Sequence, residues 1–133
     1  MKIIFDTNVI LSAILTQGLS SRVLDLCIDE HELFISSWII DEVSDKLQNK
    51  FQFSDNDHKS VLAFLQNVFM FATPTGKIPD ICSDKDDNNI LHLAEYVKSD
   101  LIITGDKDLL SLKSYKTIRI INPRQYMEGY SQN

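Results

Sequence analysis

Cysteine is scarce in this chain: Cys27 and Cys82 are the only two, far apart in sequence. That excludes a disulfide framework and leaves no Cys spacing suited to a zinc site. Cys27 falls among the apolar positions of a helical pattern and reads as a small core residue. Three prolines and four glycines are too few for a fibrous or low-complexity chain. Positive charge is in deficit, with 13 Lys and Arg against 19 Asp and Glu and a formal net charge of −6. A general nucleic-acid coat protein would be basic. An enzyme that neutralises local acids with metal is not excluded. No apolar run approaches the ~20 residues of a membrane span. The start, Met1-Lys2-Ile3-Ile4-Phe5-Asp6, is too short and too soon charged for a signal peptide. These absences lead to the expectation of a cytoplasmic protein with no membrane partner.

What is present is an ordinary globular balance, 44% apolar and 24% charged over 133 residues, enough for one domain with a real core. Residues 1–128 are expected to form that domain and 129–133 a frayed tail. Lys2 to Phe5 reads as a buried strand ending in Asp6, and Asp6-Thr7-Asn8 as the start of a helix through Ile14. Gly18 breaks that helix, and Ser20 or Ser21 opens the next. Leu33-Phe34-Ile35 is a brief strand. Ser36-Ser37 caps a helix to about Lys50, and Ser54-Asp55 starts a longer one with Val61, Leu62, Leu65, Val68 and Phe69 inward. These two helices form a hairpin whose apolar face reads as core.

Phe71 to Pro79 reads as a loop or short edge strand. A helix is expected from about Asp87 to Lys98, strands at 101–103 and 118–121, a short helix between them, and a last turn opened by Pro123. Strands separated by helices imply a parallel sheet covered on both faces.

Three acids stand at or just after predicted strand ends: Asp6, Asp87 and Asp106. Glu42 is carried by a helix. Open parallel sheets bind ligands at that edge. Carboxylates gathered there repel one another unless a hard cation such as Mg²⁺ or Mn²⁺ holds them. Such a cluster points to metal-dependent chemistry on a phosphate. Each acid has a plainer reading. Asp6 could cap a helix, Glu42 shares a solvated stretch with Asp41 and Asp45, and Asp84, Asp86 and Asp87 all suit a first helical turn. Asp108 reads as a helix-start residue that could assist. Asn8 and Thr104 are neutral polar groups suited to supporting the acids or touching a phosphate. Among scattered basic residues, Lys107 lies next to the acids and is the phosphate contact of choice. His92 reads as a surface helix residue. Trp38 reads as packing, with base stacking as its functional alternative.

Ile3-Ile4-Phe5-Asp6-Thr7-Asn8-Val9-Ile10, Asp41-Glu42-Val43, Asp84 through Leu91 and Thr104-Gly105-Asp106-Lys107-Asp108-Leu109-Leu110 together resemble the four acidic motifs of PIN-domain ribonucleases. They run in order over Met1 to about Met127. The nearest subgroup is the toxin components of toxin–antitoxin pairs. The resemblance implies an α/β fold, a three-layer α/β/α sandwich with a central parallel sheet. It implies single-stranded RNA as substrate, Mg²⁺ or Mn²⁺ as cofactor, an antitoxin protein as possible partner and a homodimer. It also places Asp6, Glu42, Asp87 and Asp106 at the acidic positions. The needs of phosphodiester cleavage then put Asp6, Asp87 and Asp106 on the metal and Glu42 on a second metal or the attacking water. Many relatives carry a further acid where Asn88 stands.

Other readings fit less of the chain. Asp84, Asp86, Asn88 and Glu95 match EF-hand positions 1, 3, 5 and 12, but Asn89 replaces the glycine of the turn. An aspartyl phosphatase would want a second Asp at Asn8. A PIN-fold binding module with little activity of its own would keep the acids without turnover.

Overall fold

The computed structural model describes residues 1–130. Its central strand, β1 (Lys2–Phe5), carries Ile3, Ile4 and Phe5, all fully buried because strands flank it on both edges and helices cover it. A near-continuous apolar run is what such a strand needs. α1 (Thr7–Leu15) and α2 (Leu19–Glu30), bent 105° from each other, lead to β2 (Glu32–Ile35). Next come α3 (Ser37–Asn49), α4 (Asp55–Val68) and β3 (Met70–Phe71). The chain then crosses back through α5 (Lys85–Val97) to β4 (Leu101–Ile103), followed by α6 (Lys107–Leu112), β5 (Ser114–Tyr115) and β6 (Ile118–Ile121). α7 (Pro123–Gln125) runs into a π-helical turn at Tyr126–Tyr130. Gly129 and Tyr130 of the expected tail thus lie in that turn, and 131–133 fall outside the described residues.

The strands stand in the order β3-β2-β1-β4-β6-β5. Every pairing is parallel except β5 with β6. The central sheet is parallel as expected, and this short antiparallel edge is added to it. Lys113 and Lys116 adopt positive φ on either side of Ser114–Tyr115, which folds the chain back in a tight return. Two residues of strand carry too little pattern to read in advance. Right-handed crossovers put α1 to α4 on one face and α5 and α6 on the other. The packing of α1 on α2 and α3, of α3 on α4, and of α5 on β1 agrees with this.

Helix starts are set by local donors and acceptors. Ser36 and Ser54 accept from Ile39 N and Asp57 N, capping α3 and α4 as expected. Asp84 accepts from Asp86 N, so α5 opens at Lys85, two residues before the expected start. α2 opens at Leu19, with Gly18 as its extended cap. The hairpin face of α4 is only partly core. Leu65 and Phe69 are buried, Val61, Leu62 and Val68 are half-buried, and a groove of about 330 Å³ lined by Ile14, Leu24, Val61 and Phe64 stays open. Among the described residues no single helix is long and apolar enough to cross a membrane.

Candidate active site

The strand order reverses between β1 and β4, since β1 leads outward to β2 while β4 lies on its other side. Chains leaving the C-terminal ends of two such strands diverge and leave a crevice. Asp6 leaves β1 there, and Thr104-Gly105-Asp106 leaves β4. The two ends are tied together, because Asp6 N donates to Ile103 O at 2.9 Å.

Asp6 does not cap α1 with its side chain. Its backbone carbonyl accepts from Val9 N and Ile10 N, and the carboxylate is left for the crevice. There Thr104 Oγ1 donates to Asp6 Oδ2 at 2.7 Å, and the same hydroxyl oxygen accepts from Asp106 N at 3.0 Å. Thr104 is fully buried, so this bridge sits in a low-dielectric wall where such bonds are strong. Asp6 is 8% exposed, and burial lifts its pKa while the Thr104 bond opposes the rise. Asp106 is held from the other side by Asp108 N at 2.8 Å and Leu109 N at 3.3 Å, both on Oδ1. It therefore caps α6 and keeps Oδ2 outside those bonds.

The three competing acids of α5 separate cleanly. Asp84 is the helix cap, and exposed Asp86 stands near enough to Glu42 to raise its pKa. Asp87 turns inward and is 4% exposed, with Oδ2 buried and without a hydrogen-bond partner. Burial, then the charges of Asp106, Asp84, Asp6 and Asp108, push its pKa up to about 7. Asp87, Asp106 and Asp108 bring carboxylate oxygens within 4.8 Å of one another, a set able to hold a metal ion. An orphaned buried carboxylate oxygen beside two further acids fits a hard divalent cation, which favours oxygen ligands of high charge.

Glu42 stands on the Asp6 side of this group. Burial raises its pKa, the charges of Asp86 and Asp6 add to the rise, and Lys46 opposes it. The buried Thr7 hydroxyl lies near enough to favour charged Glu42 but has no partner in hydrogen-bond geometry.

Sequence reasoning missed two parts of this site, the roles of Lys46 and Asn88. Lys46 is four residues after Glu42, on the same helical face. It donates to Asn8 Oδ1 at 3.0 Å, whereas the favoured Lys107 is exposed at the start of α6. The i,i+4 spacing was the available signal. Asn88 proves to pin the loop before α5. Its Oδ1 accepts from Ile81 N at 3.1 Å and Cys82 N at 2.8 Å, and its Nδ2 donates to Cys82 O at 2.9 Å. A carboxylate has no hydrogen for that last bond. Asp108, expected at the helix start with a possible assisting role, donates its N–H to Asp106 and brings its carboxylate into the metal-capable group.

A doubly wound α/β protein with an acid-lined crevice at its switch point is thus defined by fold and site together. The family model of the PIN domain matches residues 2–108, and the chain belongs to that family, whose members are typically nucleases. An uncharacterized protein of Methanocaldococcus jannaschii is 31% identical, with 99% of this chain and 93% of that protein covered. Among solved structures, VapBC2 from Rickettsia felis, bound to a DNA fragment from their promoter, has a similar fold. Its TM-score is 0.69 at 14% identity, over 92% of this chain and 98% of the matched one.

Proposed function

We propose that this protein is a metal-dependent endoribonuclease that hydrolyses phosphodiester bonds of single-stranded RNA with Mg²⁺ or Mn²⁺. The carrying observation is Asp87 Oδ2, buried and unbonded beside Asp106 and Asp108 at a strand-order switch point. Asp87 and Asp106 hold the cation, with Asp108 and Asp6 completing the set. The bound ion supplies charge neutralisation for the phosphoryl oxygens and the leaving oxygen.

The chain's own groups do the rest. Thr104 fixes the Asp6 carboxylate and, through Asp106 N, the start of the loop that carries Asp106. Glu42, with its raised pKa, takes the proton of the attacking water. Lys46 and Asn8 form a polar edge next to Asp6 and Glu42, where a phosphate of the strand rests. The overall acidic chain needs such a local cation to meet a polyanion.

A toxin role with an antitoxin partner, homodimeric assembly and cytoplasmic location belong to the same reading. Family membership and the VapBC2 fold support it. The test is incubation of single-stranded RNA with Mn²⁺ or Mg²⁺. Wild type should cleave it, chelator should stop cleavage, and Asp6→Asn and Asp106→Asn should each lose at least ~10²-fold in rate. Undiminished cleavage by Asp6→Asn would refute the assignment.

A further inference from the structure

We propose that the groove beside the acids is a nucleobase subsite, in which Trp38 stacks on a base of the RNA strand next to the cleaved phosphodiester. The inference rests on the ribonuclease reading and adds to it how the strand is gripped. The groove has a volume of about 290 Å³ and is lined by Ser37, Trp38, Pro74, Ile78, Asn89 and His92, among others. That is the lower end of the small-ligand range, room for one nucleoside rather than for a helix or strand of another protein.

Its position follows from helix geometry. Trp38 precedes Glu42 by four residues on α3, and Asn89 follows Asp86 by three on α5, so each pair shares a helical face. Glu42 and Asp86 already face each other closely enough to interact by charge. Trp38 and Asn89, each about one helical turn (~5.4 Å) from Glu42 and Asp86 along their helices, both line the groove, which therefore adjoins the edge of the acid site. That offset is on the scale of one nucleotide step along a strand.

Its lining suits a base. Trp38 is half-buried, anchored on the core and lining the groove, as a stacking platform needs. Ile78, 47% exposed, is a large apolar side chain on the loop that forms the groove's other lip. His92 Nε2 donates to Thr75 O at 3.1 Å, which ties that loop to α5. Asn89 Nδ2 donates to Lys85 O, leaving its Oδ1 as an acceptor for the edge of a base.

Trp38 is the chain's single tryptophan, so its fluorescence reads the groove directly. In chelator, with no cleavage, wild-type protein is titrated with a single-stranded RNA hexamer and with an abasic hexamer of the same backbone. Saturable quenching by the base-bearing hexamer alone is expected. No quenching, or equal quenching by the abasic strand, overturns the subsite. Cleavage of the same RNA hexamer with Mn²⁺ is measured in parallel. Cleavage without base-dependent quenching refutes the subsite and leaves the ribonuclease reading standing. Trp38→Ala should raise KM about 10-fold with kcat little changed, and Trp38→Phe should restore most of it. Equal KM for all three proteins would also overturn the proposal.

Discussion

The two walls of the acid crevice are built on opposite terms. On the β1–β4 wall, Asp6 and Asp106 each have donors waiting: Thr104 for Asp6, and Asp108 N and Leu109 N for Asp106. On the α5 wall, Asp87 is buried as deeply, yet one of its oxygens has no partner and its pKa is pushed up to about 7. The difference teaches where the site is complete and where it waits. On the first wall hydrogen bonds oppose the cost of buried charge, though burial still leaves the Asp6 pKa raised, while the orphaned oxygen of Asp87 is satisfied only by a proton or a metal.

The largest effects should come from removing that asymmetry. Asp87→Asn takes away the poorly satisfied charge, so the metal-free protein at pH 8 should gain a few degrees in Tm, roughly 3–6 °C. The same variant should lose metal-dependent RNA cleavage by ~10³-fold or more. A lower Tm together with full activity would break the comparison.

Next in size is a pH effect. The folded pKa of Asp87 lies above the ordinary carboxylate value, so the folded state binds the proton more tightly than the unfolded one. The stability this proton linkage contributes is complete below about pH 4 and is lost as pH rises through about 7. Thermal melts in chelator should show this decline between pH 5 and 8, after allowance for the same melts of Asp87→Asn. Saturating Mn²⁺ should offset it at the upper end by about 2.7 kcal/mol at 100 times Kd.

Thr104→Val should act on the other wall. It deletes a buried donor to Asp6 and an acceptor for Asp106 N at once, costing about 1–3 kcal/mol in urea denaturation. The smallest effect belongs to Lys46→Ala at the exposed edge. It should raise KM for RNA a few-fold and flatten its salt dependence, with Tm within about 1 °C.

Much of the frame was legible because one rule repeats along the chain. Buried apolar runs ending in an acid, alternating with amphipathic helices, place those acids at one sheet edge. The position of Glu42 followed from its motif. The rest depended on side-chain directions that spacing does not give. Thr104 could not be told from any buried threonine until its hydroxyl was seen between Asp6 and Asp106. Asp84, Asp86 and Asp87 are adjacent and alike, and only the turn of α5 gives one to the cap, one to Glu42 and one to the interior. Asn88 looked like a missing acid because composition does not show that a loop carbonyl needs a donor. β5 is two residues long, and the half-open face of α4 carries the same apolar spacing as a buried one.

Calorimetric titration of Mn²⁺ into wild type and Asp87→Asn at pH 8 tests the central claim most directly. Saturable binding by wild type and none by the variant is the predicted result. Equal binding by both proteins, or none by wild type at millimolar metal, would contradict a metal cradle completed by Asp87.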